Sequence, residues 1–210
     1  MTSRFALLAV PAMLALSAAA PAPRPTPPPA RAEVAITTDL GVITVELDGE
    51  HAPITTANFL RYVDQKRFDG TVFYRAMRLE WGTQPNGLIQ GGTQNNPKRV
   101  LKPIAHEPTS TTGILHKAGT ISMARFQPGT ATGDFSILLS DLAGLDADPK
   151  AGNPDGQAGF AAFGHVVGGM DVVRKIYDSP LSPTAGAGVL KGQMLERPVK
   201  IVSMRRVPAP

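Results

Sequence analysis

The sequence contains no cysteine among its 210 residues. A chain without cysteine forms no disulfides, offers no thiol nucleophile and supplies no thiolate ligands for an iron–sulfur cluster. It also lacks the cysteine that carries the lipid of a bacterial lipoprotein. Disulfide-stapled folds, thiol chemistry and thiol-based redox functions are therefore excluded.

Charged and aromatic side chains are scarce as well, at 18% and 6% of the residues. The formal charge of +4 comes from dispersed lysines and arginines, without the basic run or interleaved aromatics of a nucleic-acid groove. We therefore expect no nucleic-acid partner. Glycine and proline are abundant instead, at 21 and 20 residues, and their positions between short apolar runs favour a β-rich fold with many turns.

The sequence begins with a long apolar run from Phe5 to Ala20, which Arg4 precedes. The run is shorter than the roughly 20 apolar residues that cross a bilayer, and it contains Pro11. This pattern is typical of a secretory signal peptide. We predict a signal peptide over residues 1–19, a periplasmic protein and no stable membrane span after cleavage. A permanent membrane anchor is the alternative.

The chain after the signal peptide divides into two parts. Residues 20–32 are almost wholly proline and alanine, a composition that stays extended and has no side chains for a core, so we interpret them as a linker. Residues 33–207 are long enough for one domain of ordinary size. We predict a single globular domain over that range and expect it to be a monomer.

Short apolar runs bounded by turn residues predict about eight strands. Val34–Thr38 and Val42–Leu47 flank Asp39–Gly41, and their alternating apolar residues predict a hairpin. The other six predicted strands span approximately residues 71–76, 87–90, 119–124, 135–140, 160–167 and 199–207.

Two segments show helical spacing instead. Apolar residues at three- and four-residue spacing after Pro53 predict a helix over about residues 54–66. A second helix is predicted between Gly169 and Asp178, where Pro180 prevents its continuation. Closing antiparallel strands into a barrel with a helix at each open end would hide every strand edge. Composition alone does not favour this barrel over a sandwich.

Several motifs, in this order, resemble those of the cyclophilin family of peptidyl-prolyl cis-trans isomerases. The resemblance extends over nearly all of residues 33 to 206, and it implies an all-β-dominated fold: a closed eight-stranded antiparallel barrel capped by two α-helices, with the isomerase site on its outer face. The motifs are Ala52-Pro53 with Asn58-Phe59, Phe68–Arg75, Ile89–Gly92, Gly119–Ala124, and Phe163–Val166 before Gly169–Val173.

The resemblance implies that Arg75 and Gln90 are the catalytic residues, and that the substrates are proline-containing segments of other proteins. A guanidinium suits this reaction because it can donate to the prolyl nitrogen as the amide twists, and because it never deprotonates. Neither a metal nor any other cofactor is required. The four histidines are dispersed and show no spacing typical of a zinc site.

The resemblance also implies a substrate-binding pocket, but several of its positions depart from the family pattern. Gly87 and Ser136 stand where phenylalanine is usual, and the family's tryptophan-leucine pair has no counterpart around Asp155-Gly156. Residues 78–86, which include Trp81, are an insertion. The predicted substrate-binding residues are Phe73, Leu88, Ala124, Arg125, Asp134, Phe135, Ser136 and Phe160.

Two questions stay open from the sequence. Asp134 either orients Arg75 through an ion pair or caps backbone N–H groups of a nearby loop. The retained Arg75 and Gln90 favour an isomerase that acts on exported proteins as they fold. The missing aromatic residues favour the alternative, a non-catalytic module that binds peptides or a partner protein.

Overall fold

A computed structural model describes residues 27–208, so the predicted signal peptide and the first part of the predicted linker lie outside the described residues. Within this range, no helix has the length and apolar character needed to cross a membrane. The described strands are β1 (Arg31–Thr38), β2 (Gly41–Asp48), β3 (Val72–Arg78), β4 (Gly87–Gly92), β5 (Thr120–Met123), β6 (Asp134–Leu138), β7 (Ala162–Gly168) and β8 (Met194–Arg206). The described α-helices are α1 (Pro53–Asp64), α2 (Thr109–Thr112), α3 (Pro154–Ala158) and α4 (Met170–Asp178), and 3₁₀ turns cover Ala143–Leu145 and Gly188–Leu190.

The strands form a closed antiparallel barrel in the order β1-β2-β7-β5-β6-β4-β3-β8. Closure pairs every strand on both sides and leaves no edge open to another chain. The predicted alternation of the first hairpin is confirmed, because Ile43, Val45 and Leu47 are fully buried. The predicted fold class, a closed eight-stranded barrel with two main helices, is therefore confirmed.

The two longer helices cover opposite ends of the barrel. α1 follows the end of β2, whereas α4 follows the end of β7. These two strands are antiparallel, with Leu47 opposite Gly164 and Thr44 opposite Gly168. The ends of β2 and β7 therefore lie at opposite openings, and each helix packs its apolar face into one of them.

An aromatic cluster fills the barrel beneath α1. The ring centroid of Phe135 lies 5.4 Å from that of Phe59, 5.6 Å from that of Phe68 and 5.6 Å from that of Phe73. Both Phe73 and Phe135 are 0% exposed. The prediction that these two residues bind substrate is wrong. Phe135 alternates with the outward-facing Ser136 and so points into the core. A β-bulge directly after Phe73 turns that side chain inward as well.

Element boundaries differ slightly from those predicted. The predicted helix over 54–66 ends at Asp64, since the chain reverses at Lys66, whose φ is +54°. β1 begins at Arg31, inside the segment predicted as linker, because pairing with Asp48 needs only backbone groups. Helices α2 and α3 were not predicted because they are single turns within loops rich in polar residues.

Candidate active site

A β-bulge in β3 positions the candidate catalytic arginine. Phe73 pairs with Gly91 and Arg75 pairs with Gln90, so β3 has one residue more than β4 at this point. A bulge of this kind re-aims the side chains that follow it. As a result Tyr74 and Arg75 both reach the outer face of the barrel, while Phe73 on one side and Ala76 on the other are fully buried.

The glycine pair at the end of β4 permits close packing beside this bulge. A Cβ atom at Gly91 would lie 2.7 Å from Cδ1 of Phe73, and one at Gly92 would lie 2.3 Å from the carbonyl oxygen of Gly133. Gly92 also has a φ of +128°, which disfavours any residue with a side chain. The glycines therefore let β4 approach its neighbours and hold Gln90 beside the bulge.

Four polar residues lie in one row across the outer face of the barrel. Arg75 on β3 pairs with Gln90 on β4, Gln90 pairs with Ser136 on β6, and Ser136 pairs with Ser122 on β5. Adjacent strands are about 4.8 Å apart, so the row forms a continuous polar line across four strands.

Arg75 is held from two sides. Its Nη1 donates to Oε1 of Gln90 at 2.6 Å, and its Nε donates to Oε1 of Gln193 at 2.8 Å. Among the described contacts, these bonds engage two of the five N–H donors of the guanidinium, so donors remain for a ligand. Burial lowers the pKa of Arg75, but a guanidinium still remains charged at neutral pH.

The side chain of Gln90 continues this network to a buried carboxylate. Nε2 of Gln90 donates to the hydroxyl of Tyr74 at 2.7 Å, and that hydroxyl donates to Oδ1 of Asp134 at 3.3 Å. Burial, and then the negative charge of Asp134, raises the pKa of Tyr74. The phenol is therefore neutral at physiological pH and keeps the proton with which it donates.

Asp134 caps a loop instead of pairing with Arg75. Its carboxylate accepts from the backbone N–H groups of Gln94 at 2.8 Å and Asn95 at 3.3 Å, and from the hydroxyl of Thr93 at 3.1 Å. Burial raises the pKa of Asp134 despite these bonds. The second interpretation of Asp134 is therefore correct, and this residue reaches Arg75 only through Tyr74 and Gln90.

A cavity of about 570 Å³ opens beside Arg75 and Gln90. The apolar residues of its wall include Met77, Leu88, Met123, Leu145, Phe160 and Leu190. The structure places six of the predicted substrate-binding residues in this wall, namely Leu88, Ala124, Arg125, Asp134, Ser136 and Phe160. Their role in binding stays a prediction. The sequence did not predict Tyr74, Leu145 and Val189 in this wall, nor Gln193 beside Arg75.

Residues 33–206 match the family model described as cyclophilin type peptidyl-prolyl cis-trans isomerase/CLD. This match covers well over half of the chain. The chain belongs to the cyclophilin family. Its enzyme class is therefore that of the peptidyl-prolyl cis-trans isomerases.

Individual relatives agree with this assignment. A peptidyl-prolyl cis-trans isomerase of Acinetobacter baylyi is 37% identical over 176 residues, which cover 82% of this chain and 84% of that protein. Peptidyl-prolyl cis-trans isomerase B of Escherichia coli is 34% identical over 150 residues, covering 68% of this chain and 82% of that protein. A crystal structure of a Cryptosporidium parvum cyclophilin type isomerase, only 19% identical, covers 86% of this chain and 99% of its own with a TM-score of 0.65, which supports the fold.

The backbone of this cyclophilin leaves no room for a side chain at Gly87. A Cβ atom there would lie 1.9 Å from the carbonyl oxygen of Met77, and the φ of Gly87 is +145°. Met77, two residues beyond Arg75, and Leu88 line the cavity at this side instead. On this side, the cavity wall therefore consists of flexible apolar side chains instead of an aromatic ring.

The insertion in this cyclophilin lies away from the site. Nη2 of Arg78 donates to the carbonyl oxygens of Tyr177, at 2.5 Å, and Ser179, at 2.7 Å, at the end of α4. Trp81 is 68% exposed. Within the described part of the chain, no residue from 79 to 86 lines the cavity.

Arg125 forms part of the cavity wall of the cyclophilin domain. Its guanidinium carbon lies 4.5 Å from the ring centroid of Phe160, and its Nη2 donates to the carbonyl oxygen of Gly159 at 2.6 Å. Nη1 forms an ion pair with Asp155 at 2.9 Å. The Arg125 side chain is 2% exposed, so it supports Phe160 and is not a free cation.

A buried histidine links the cavity floor to the neighbouring loop. Nε2 of His116 lies 2.8 Å from the hydroxyl of Ser122, and Nδ1 lies 2.7 Å from Oδ1 of Asp146. The His116 side chain is 0% exposed, and burial lowers the pKa of its imidazole. The neutral ring can accept from Ser122 and donate to Asp146, which fixes Leu145 against the cavity.

This burial predicts that acid destabilises the protein through His116. The unfolded state, with a histidine pKa of about 6.5, takes up a proton more readily than the folded state. The free energy of unfolding should therefore be highest above about pH 6.5 and decrease as the pH falls towards the lowered folded-state pKa. Urea unfolding at pH 7.5 and 5.5 should show a smaller loss in His116→Gln than in the native protein. The exposed His165→Gln is the matched control, and equal pH dependence in both variants would contradict the prediction.

Proposed function

We propose that this enzyme accelerates rotation about X-Pro bonds in exported proteins as they fold, with Arg75 as the catalytic residue. The observation that carries the proposal is the 2.6 Å bond from Nη1 of Arg75 to Gln90, which holds a charged guanidinium at an apolar cavity of about 570 Å³. A cavity with apolar walls suits a proline ring, and the charge faces the place where an amide nitrogen would lie.

The chemistry requires a catalyst that weakens amide resonance. The barrier to rotation is about 18–20 kcal/mol because the C–N bond has partial double-bond character. Cis and trans X-Pro bonds differ by only about 0.5–1 kcal/mol, so the enzyme needs to supply no driving force. A donor placed at the prolyl nitrogen bonds most strongly when the amide is twisted and its lone pair has left conjugation. Such a bond stabilises the transition state more than either ground state.

Each part of the site has one task in this proposal. The apolar wall holds the proline ring, so that the rest of the peptide turns relative to a fixed end. Gln90 acts as a catalytic residue. It fixes Arg75, and its own side-chain amide lines the cavity. Tyr74 and Asp134 set the orientation of that amide through the hydrogen bonds described above.

The location and the substrates of the enzyme are also part of the proposal. The predicted signal peptide over residues 1–19 supports export to the periplasm, where unfolded exported chains with proline-containing segments are the substrates. The closed barrel leaves no strand edge for pairing with a second copy of the chain, which supports a monomer.

One experiment tests location and activity together. The full chain is expressed in a Gram-negative host, and the periplasmic and cytoplasmic fractions are assayed for cis-to-trans exchange of a short X-Pro peptide by NMR. We expect activity in the periplasmic fraction, and a mature protein whose mass shows the loss of 19 residues. A variant that lacks residues 2–19 is the control, and its activity should move to the cytoplasm.

Two results would contradict the proposal in different ways. If the activity of both the full chain and the variant without residues 2–19 is confined to the cytoplasm, the proposed export is wrong. Peptide resonances that shift on binding, without any faster exchange across several peptide sequences, would favour the non-catalytic binding module instead.

A further inference from the structure

The segment that precedes β8 lies beside the active site, although it is far from Arg75 in the sequence. Its last residue, Gln193, lies immediately before Met194, the residue of β8 that pairs with Arg75. The backbone carbonyl of Gln193 accepts a hydrogen bond from the N–H of Ala76 at 2.9 Å. The backbone at Gln193 is therefore fixed against β3 directly beside the catalytic arginine.

The side chain of Gln193 joins Arg75 to a turn in the cavity wall. Oε1 of Gln193 accepts from Nε of Arg75 at 2.8 Å, and Nε2 donates to the carbonyl oxygen of Val189 at 2.9 Å. Val189 and Leu190 belong to the 3₁₀ turn Gly188–Leu190, and both line the cavity. One amide group thus contacts the charged group and the apolar wall at the same time.

Two acceptors determine the orientation of the guanidinium where one would not. Gln90 alone fixes a single Nη1–H direction, and the plane could still turn about that bond. The second acceptor, on Nε, fixes the rigid plane itself because the five N–H donors of a guanidinium have constant relative directions. The donors that remain for the substrate therefore have a set direction only when Gln193 is in place.

We propose that Gln193 is a positioning residue that sets the plane of Arg75 for catalysis and ties that plane to the Val189–Leu190 turn. The proposal rests on the catalytic role of Arg75 proposed above. Gln193 accelerates the isomerisation by holding the donors at the twisted amide. Its loss therefore slows the reaction on the enzyme more than it weakens peptide binding.

Two substitutions separate the two hydrogen bonds. Gln193→Leu has a similar size and removes both bonds, whereas Gln193→Glu keeps an acceptor for Nε of Arg75 and loses the donor to Val189. We expect the on-enzyme exchange rate of a saturating X-Pro peptide to fall by about tenfold in Gln193→Leu, the size of one charge-assisted hydrogen bond. The dissociation constant should change by less than about twofold. Gln193→Glu should recover part of the rate.

A spectroscopic signal reports the orientation independently of activity. The ¹⁵N resonance of Nε–H in Arg75, assigned by its disappearance in Arg75→Lys, should move and exchange faster with water in Gln193→Leu. In Gln193→Glu it should stay protected. Lys191→Ala, an exposed residue of the same segment, is the matched control and should leave rate and resonance unchanged. Circular dichroism establishes that each variant is folded.

The outcomes distinguish this proposal from the function on which it rests. If Arg75→Ala slows exchange but Gln193→Leu does not, the positioning role is wrong and the catalytic arginine stands. If Gln193→Leu moves the resonance and leaves the rate at the native value, orientation by Gln193 is unnecessary and the proposal also fails. If Arg75→Ala exchanges the peptide at the native rate, the catalytic role of Arg75 fails, and the positioning role with it.

Discussion

Arg75→Ala should lower kcat/KM for X-Pro isomerisation by about 10²- to 10³-fold, the loss found when one preorganised donor to a transition state is removed. The native guanidinium combines a permanent charge with an orientation set by Gln90 and Gln193. Alanine removes the charge, the donors and both side-chain contacts. A lysine at this position keeps the charge, but its single ammonium cannot match the planar arrangement of donors. Arg75→Lys should therefore recover only a small part of the loss.

Steady-state isomerisation of several X-Pro peptides checks this expectation. Arg174→Ala is the matched control, because this arginine lies exposed on α4 and pairs only with Asp178 among the described residues. The control should retain native kcat/KM. A folded Arg75→Ala with more than about a third of native kcat/KM would show that the guanidinium supplies less than about 0.7 kcal/mol of transition-state stabilisation.

Phe135→Ala should produce the second large effect, on stability. Its ring is 0% exposed and lies within 5.6 Å, centroid to centroid, of three other phenylalanine rings. Truncation of such a side chain removes buried apolar surface and leaves a cavity, at a cost of about 3–5 kcal/mol. We therefore expect the free energy of unfolding to fall by about that amount in urea denaturation, with a matching loss in Tm.

The neighbouring position on the same strand supplies the control. Ser136 faces the cavity instead of the core, so Ser136→Ala should change the free energy of unfolding by less than about 1 kcal/mol. A Phe135→Ala variant of native stability that no longer binds X-Pro peptides would restore the original assignment of Phe135 to the substrate-binding residues.

Periodicity and turn residues were sufficient to predict the strands and the two main helices, whereas the closed barrel was predicted from the resemblance to cyclophilins. The apolar residues of the first hairpin alternate, and those of α4 recur at helical spacing, so both elements could be located from local sequence. The resemblance implied that Arg75 and Gln90 share the active face, and the structure shows that they are paired across β3 and β4. These features depend on contacts between residues close in sequence, which is why the sequence contains enough information about them.

The bulge at Tyr74 could not be predicted from the sequence. Phe73 and Ala76, the two inward residues, are three positions apart, whereas a regular strand would place inward residues two apart. One extra residue must therefore stand between them. Val72, Phe73 and Tyr74 are all apolar or aromatic, so the sequence does not show which of them face inward. Regular alternation from Arg75 assigns Phe73 to the outer face.

Gln193 could not be predicted from the sequence either. It lies 118 residues from Arg75 in the sequence, in a glycine-rich segment without periodicity. A polar residue in such a segment is usually solvated, and only the path of the chain into β8 brings it to the arginine. The same holds for Val189, which is 85% exposed and still lines the cavity.

The most direct test of the account separates binding from rotation. NMR line shapes of an X-Pro peptide titrated with native protein and with Arg75→Ala give the dissociation constants of the cis and trans forms and the rate of their exchange on the enzyme. A guanidinium that bonds best to the twisted amide predicts an on-enzyme rate at least about 30-fold lower in the variant, with dissociation constants within about threefold of native. Weaker binding of both forms with an unchanged on-enzyme rate would contradict this, because it would make Arg75 a residue that holds the peptide without helping it turn.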